Sequence, residues 1–344
     1  MEVFQGGCYT RRRALYFKLV GLLGRVPYDW YLLMQLEKEL PRLESIKKSV
    51  VTVGVFDGVH RGHKHLLHIL KERARRKGYN TGVLTFRNHP NAVFDKNFVP
   101  QYITSLDDRI RLIKEEGVDF VAAIPFTRET SIIKADTFTK LLKNKLHMKG
   151  LVIGPDFALG HKREGDLKKL IVLGKEMDFF VEEVPVMQDN DEAVRSTGVR
   201  ESILSGKIES ATRMLGRYFS INGVVEHGEK RGRELGFPTA NLRISPEMII
   251  PANGIYATIA HLGSEKDTRT HFSSTSIGTR PTFEGTDRSI EAYLLDFDAD
   301  LYGQTIQLDF VRRLRDELKF DTVDALLLQM EQDVKNTRHY LSVI

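Results

Sequence analysis

At 344 residues the chain exceeds the ~100–200 residues usual for one domain, so two domains are expected. With 41% hydrophobic and 28% charged residues, 27 Gly and 11 Pro, collagen-like, mucin-like and wholly disordered chains are excluded. The 51 Lys+Arg against 46 Asp+Glu leave +5, a mild basicity that suits anionic small molecules and does not mark a dedicated nucleic-acid binder.

Cys8 is the single cysteine. It excludes an internal disulfide framework and a Cys-based zinc site, and makes a reducing, cytoplasmic setting the expectation. No run approaches the ~18–20 apolar residues of a membrane span. Arg11–Arg13 followed by Ala14-Leu15-Tyr16-Phe17 faintly suggests a secretion signal, but Lys18 and Arg25 interrupt it. Residues 1–45 read as an extension of unknown role, with Met34 a sensible alternative start.

From Ser49 onward strands and helices alternate. The β-branched run Ser49–Phe56 predicts a strand buried on both faces. The turn Asp57-Gly58-Val59-His60-Arg61-Gly62 follows, then a helix through Leu66, Leu67, Leu70 and Ala74. Further strands are expected at Thr81–Phe86, Phe120–Ile124, Leu151–Ile153 and Phe179–Val184, with helices near Leu106–Glu116 and Ala135–Lys145. This alternation predicts an α/β domain with a parallel sheet and helices on both faces. After about Leu204 the pattern changes to short strands at Phe219–His227, Gly254–Leu262, His271–Gly278, Ser289–Phe297 and Thr305–Leu314. That predicts a mostly-β barrel or sandwich. A C-terminal helix carries Val323, Leu326, Leu327, Met330 and Val334 on one stripe, expected to be core.

The densest chemistry lies in Gly54-Val-Phe56-Asp57-Gly58-Val-His60-Arg-Gly62-His63, between a buried strand and a helix. There, unpaired backbone N–H groups and the helix dipole favour an anion. Histidines three apart on the first helical turn share a face, and Gly62 lets a ligand approach the backbone. This stretch resembles the His-x-Gly-His signature of nucleotidylyltransferases, and its wider spelling resembles bacterial FAD synthetase, in which a riboflavin kinase is fused at the carboxyl terminus. The resemblance implies a Rossmann-like nucleotidylyltransferase fold over residues 46–204 and a riboflavin kinase barrel over 205–344. It implies that His60 and His63 act on the triphosphate, and that Gly54, Phe56, Asp57 and Gly62 line the ATP site.

Three more stretches are similar to that family. Thr85-Phe86-Arg-Asn-His89-Pro90 and Gly154-Pro-Asp156-Phe157-Ala-Leu-Gly160 imply flavin contacts from His89, Pro90, Asp156 and Phe157. Arg195-Ser196-Thr197-Gly-Val-Arg200 offers hydroxyls and a guanidinium to a polyphosphate. By resemblance, Ser196 and Thr197 bind ATP and Arg200 is catalytic. Asn88, Leu159 and Arg195 depart from the family's usual residues.

In the second half, Gly232-Arg-Glu-Leu-Gly236-Phe237-Pro238-Thr239-Ala240-Asn241 pairs a hydroxyl and an amide oxygen two positions apart, which suits a hard cation such as Mg²⁺. It resembles the Gly-Phe-Pro-Thr-Ala-Asn signature of riboflavin kinases. This implies that Gly236, Pro238, Thr239 and Asn241 hold ATP, and that Thr239 and Asn241 hold the metal. Glu291, in Ser289-Ile-Glu-Ala-Tyr293-Leu-Leu295-Asp-Phe, shares a strand face with Tyr293 and Leu295 by period-two alternation. The family's Glu-x-x-x-Leu-Asp-Phe pattern implies that it is the base for the ribityl hydroxyl. Weaker matches imply flavin contacts from Tyr256, Arg280 and Arg315, with Ser276 where asparagine is usual.

The resemblance thus implies phosphorylation of riboflavin to FMN and adenylylation of FMN to FAD, with riboflavin, FMN and ATP as ligands. Neither a membrane nor a nucleic acid is expected as partner, and self-association stays open. Two other readings remain open at this level: a kinase whose adenylyltransferase half is impaired by the three departures, and a non-catalytic flavin- or RNA-binding regulator.

Overall fold

The computed structural model describes residues 48–343 apart from 191, 229–231, 233–234, 264–266 and 283–284. The amino-terminal extension lies outside the described residues, as do the side chains of residues 280–282 and 285–287. The chain gathers into two compact units. The first takes the described residues up to Val55, with Leu66–Phe98 and Ile113–Pro185; the second takes Phe56–His65, Val99–Leu112 and the chain from Val186 on.

The first unit is built on five parallel strands: β1 (Ser49–Val53), β2 (Asn80–Phe86), β3 (Phe120–Ile124), β4 (Met148–Ile153) and β5 (Phe180–Glu183). Their order is β3-β2-β1-β4-β5. The chain therefore moves outward from β1 through β2 to β3, then returns past β1 to β4 and β5. Right-handed crossovers run in opposite directions put helices on opposite faces, and leave a crevice beyond the carboxyl ends of β1 and β4. Between the strands the chain forms α1 (Arg61–Lys77), α2 (Leu106–Glu115), α3 (Ala135–Leu146) and α4 (Leu167–Met177), of which Arg61–His65 in α1 and Leu106–Leu112 in α2 belong to the second unit. Val51, Leu84, Ala122, Leu142, Leu151 and Leu170 meet in the core of this unit.

The strand β1 ends at Val53, three residues before the sequence pattern predicts. Phe56 is the reason: its φ of 55° takes the backbone out of the extended region. In the basic run Lys71–Lys77 that ends α1, Arg75, Arg76 and Lys77 are exposed, Ala74 is buried, Lys71 donates to the Glu116 carbonyl, and the fork of Arg73 grips Glu182 at 2.6 Å through Nε and Nη2.

The second unit opens its own secondary structure with a short hairpin, β6 (Gln188–Asp189) and β7 (Glu192–Ala193), then α5 (Ser196–Leu204) and α6 (Ile208–Leu215). Six antiparallel strands follow: β8 (Phe219–Glu226), β9 (Ala240–Arg243), β10 (Gly254–Leu262), β11 (Arg269–Thr282), β12 (Gly285–Leu294) and β13 (Thr305–Arg315). They close into a barrel of order β10-β11-β12-β9-β8-β13. The interior is packed with Phe219, Ile221, Tyr256, Ile290, Leu308 and Phe310. Only four residues long, β9 escapes a pattern-based reading, β11 runs longer than expected, and β12 starts before Ser289 and ends at Leu294, short of the expected Phe297.

The closing helix is α7 (Val323–Leu341). Its apolar stripe is not the core element expected. Val323 is exposed, Leu326, Leu327, Met330 and Val334 are half-buried, and the fully buried positions are Asp333, Thr337 and Leu341. Three of the stripe residues instead line a cavity described below.

Candidate active sites

The turn after β1 is held by Asp57, which is 1% exposed. Its carboxylate accepts the Ile103 and Thr104 backbone N–H groups at 3.0 and 3.1 Å and the Thr104 hydroxyl at 3.3 Å. Arg200 Nη2 completes the set at 2.6 Å. The Ser196 hydroxyl donates to the Asp57 carbonyl at 3.0 Å. Asp57 thus joins the turn, the 101–104 segment and the start of α5. Predicted as a nucleotide contact, it is placed beneath the site with its oxygens occupied by protein donors. Arg200 is fixed a second time by the Gln101 carbonyl, which accepts from Nε at 2.9 Å.

The rings of His60 and His63 are stacked 3.7 Å apart, and Phe56 packs against His63 at 5.0 Å. The His63 backbone N–H donates to His60 Nδ1 at 3.3 Å, so Nδ1 is unprotonated and Nε2 carries the proton. Burial, then the charges of Arg217 and Arg200, lower the pKa of His60 from 6.5 to about 4. Burial and the neighbouring His60 push His63 well below its usual value too. Both rings are neutral near pH 7, and the cationic charge of this site belongs to arginines. Gly62 is obligatory here: a Cβ would lie 2.7 Å from the Val194 carbonyl oxygen and 3.1 Å from the His60 ring. Thr197 is exposed on the first turn of α5, and Arg195 stands at its N-cap position without a side-chain cap.

Two members of this site escape the sequence reading. Arg217 perturbs His60, and Arg109, 1% exposed, perturbs His63. Arg109 leaves one trace: it interrupts the apolar stripe Leu106–Ile110–Ile113 of α2.

In the first unit a cavity of about 400 Å³ lies beyond the carboxyl ends of its strands. Its walls include Gly54, Pro90, Asp156, Phe157 and the departure Leu159, with the rings of Phe86, Phe94, Phe126 and Phe138. His89 lies beside this wall, its Nδ1 accepting the Asn91 N–H at 3.1 Å and its ring packed on Phe98. Asn88 brackets the cavity: its amide donates to the Phe126 carbonyl at 2.7 Å and accepts the Phe126 N–H at 2.9 Å. A proline there could make neither bond.

On the outer face of the barrel a cavity of about 280 Å³ is walled by Thr239, Ser276, Glu291 and Tyr293, and by Leu326, Met330 and Val334 of α7. Ile290, Ala292 and Leu294 point into the core, leaving Glu291 and Tyr293 on the cavity side. Leu295 does not share that face, because β12 ends at Leu294. The Thr239 hydroxyl donates to Glu291 Oε2 at 3.1 Å, and Asn241 pairs with Glu291 in register. A second cavity of about 240 Å³ lies on the other side of Pro238 and Thr239, reaching Asp298, Asp300 and Tyr302. Thr239 is common to both.

A hydroxyl, an amide and a carboxylate at this junction form a hard-oxygen set whose chemistry fits Mg²⁺. Among the described residues no cluster of three or more His, Cys, Asp or Glu could hold a metal. Gly236 has φ of 83° in the loop before Thr239. Arg315 lines the cavity with its guanidinium forked onto Asp333, Nε to Oδ1 at 2.9 Å and Nη2 to Oδ2 at 2.7 Å. Tyr256 sits elsewhere, fully buried in the barrel, its hydroxyl donating to the Ala252 carbonyl at 2.5 Å. Arg280 belongs to β11, and its side chain lies outside the described residues.

Two family profiles match the chain, FAD synthetase over residues 43–198 and riboflavin kinase over 215–341. A bifunctional riboflavin kinase/FMN adenylyltransferase of Listeria monocytogenes is 36% identical over 299 residues, covering 86% of this chain and 93% of that protein. The chain belongs to the bifunctional riboflavin kinase/FMN adenylyltransferase family. Another member, from Escherichia coli K12, is 34% identical over 86% of this chain and 93% of its own length. Among solved structures, one described as a macrolide-efflux protein from Streptococcus pneumoniae matches with a TM-score of 0.78 and 29% identity, over 87% of this chain and 97% of that one. No helix among the described residues is long and apolar enough to cross a membrane.

Proposed function

We propose that this bifunctional riboflavin kinase/FMN adenylyltransferase phosphorylates riboflavin at the barrel (residues 205–344) and adenylylates the resulting FMN with the residues of its 46–204 half. The observation that carries the kinase assignment is the Thr239–Glu291 hydrogen bond at the wall common to two cavities. One cavity takes the flavin and the other the nucleotide, so the two substrates meet where the carboxylate stands. Glu291 accepts the proton of the terminal ribityl hydroxyl as that oxygen bonds to the γ-phosphorus and ADP leaves. Thr239 orients the carboxylate. Thr239 and Asn241 would hold Mg²⁺, which when bound neutralises phosphate charge.

For the second reaction, the apolar first-unit cavity suits the flavin ring, with Pro90 and Phe157 against it. An FMN phosphate oxygen attacks the α-phosphorus of ATP and pyrophosphate leaves. His60 and His63, being neutral, serve as N–H donors to phosphate oxygens, while Arg200 supplies fixed charge. Ser196, Thr197 and Gly62 offer hydroxyls and backbone to the polyphosphate. No covalent enzyme intermediate is required, and catalysis is positioning plus electrostatics. The intact His60, His63, Ser196, Thr197 and Arg200 argue against an impaired adenylyltransferase half.

Incubating the protein with riboflavin, ATP and Mg²⁺ and separating flavins over time tests this reading. FMN should appear first and FAD second. Glu291→Ala should stop the first step and His63→Ala the second. FMN accumulating without FAD, even with fresh ATP, would leave only the kinase.

A further inference from the structure

The loop between β4 and α4 closes one side of the first-unit cavity, and its backbone is held in an unfavourable shape. Gly160 (φ 79°), Lys162 (φ 52°) and Arg163 (φ 60°) all lie in the left-handed region, which residues other than glycine rarely adopt. Two consecutive such residues persist only where their surroundings over-determine them. Here Leu159 and Gly165 exchange backbone hydrogen bonds of 3.1 and 2.9 Å across the base of the loop. The His161 N–H donates to the Ile133 carbonyl at 2.8 Å, and the Glu164 carboxylate accepts the Ala135 N–H at 2.8 Å. A Cβ on Gly160 would fall 2.5 Å from the Ala135 nitrogen, so the loop is pressed against the start of α3. Its tip, Lys162-Arg163, is thereby fixed on the cavity wall.

The two tip cations differ. Arg163 is engaged within the loop, its Nη2 donating to the Asp156 carbonyl at 2.7 Å. Lys162 is exposed at the rim and makes no side-chain hydrogen bond or ion pair among the described residues. Asp156 is the one carboxylate on a wall otherwise dominated by phenylalanines. Such a slot takes the ring system of riboflavin and of FMN alike. The two differ only at the ribityl terminus, where FMN carries a phosphate.

Resting on the reading of this cavity as the FMN site, we propose that Lys162 contacts the FMN phosphate and sets the preference of the adenylyltransferase half for phosphorylated flavin over riboflavin. A charge-assisted bond from an ammonium to a phosphate dianion is gained only by FMN. The strained tip fixes the backbone from which Lys162 projects, so only its side chain has to be ordered when FMN arrives.

The test uses full-length protein carrying Glu291→Gln, so that added riboflavin stays unphosphorylated. FAD formation from FMN and ATP is measured with riboflavin as a competing inhibitor. Adding Lys162→Met should raise KM for FMN about tenfold or more while the inhibition constant of riboflavin stays unchanged, and Lys162→Arg should restore KM. A parallel rise of both constants would reduce the loop to a wall and overturn the proposal, as would an unchanged KM. Absence of FAD formation in the Glu291→Gln parent would overturn the reading of the cavity itself, and the proposal with it.

Discussion

Under the proposed function the two units hold a flavin in opposite kinds of place. The parallel sheet leaves room at its strand ends, because reversal of strand order at β1 opens a crevice there. The barrel interior is instead packed, with Phe219, Tyr256 and Phe310 buried among aliphatic side chains of its six strands. Its cavity therefore lies on the outer wall, where α7 supplies the missing side. Sheet topology provides a site in one case, and an appended helix provides it in the other.

Substitutions can break this comparison from either side. The largest effect is expected at Glu291→Gln, which should cut FMN formation roughly 10³-fold while FAD formation from supplied FMN is retained; steady-state rates of both steps check this. Next comes acid sensitivity centred on His60. Its folded pKa of about 4 lies below the 6.5 of an exposed histidine. The unfolded chain therefore gains a proton between those values while the folded one does not. Stability is unaffected above pH 6.5 and falls by roughly 3 kcal/mol as pH drops toward 4, measurable as urea midpoints at pH 7 and 4.5. His60→Gln should reduce that slope and leave the share of His63, which burial also holds below its usual value.

A smaller loss, about 100-fold in FAD formation with FMN formation kept, is expected for Asp57→Asn. The shape stays but Arg200 is released from its charged partner; assaying both reactions on one preparation separates this from unfolding. Asn88→Ala should cost about 2 kcal/mol through its two lost hydrogen bonds, seen in thermal or urea melts, with a raised KM for FMN as the cavity wall loosens.

Much of this architecture is legible in the sequence, for identifiable reasons. Ser49–Val53 and Phe120–Ile124 are short apolar runs bounded by turns, and they sit where periodicity puts them. Phe219–Glu226 alternates strictly and faces the core as alternation demands. What escapes is decided by tertiary contact. The stripe of α7 reads as core because periodicity measures apolarity, not what lies opposite, and opposite it lies a cavity. Asp57 reads as a ligand contact because a motif gives its position and not its hydrogen-bond partners, two of which are backbone groups some 46 residues away. Arg217 carries no motif, and Tyr256 reads as a ligand contact although its register turns it inward.

The Asp57 junction has a consequence for anyone who cuts the gene in two. Ile103, Val194, Val199 and Ile203 share one continuous hydrophobic cluster with Ile208, Leu215, Phe219 and Phe310. A stop codon after residue 204 leaves the first four exposed on the amino-terminal fragment and strips the barrel of their cover. The separate expression products should be sticky and poorly soluble. A cut that respects the packing must carry the barrel along with the nucleotide turn.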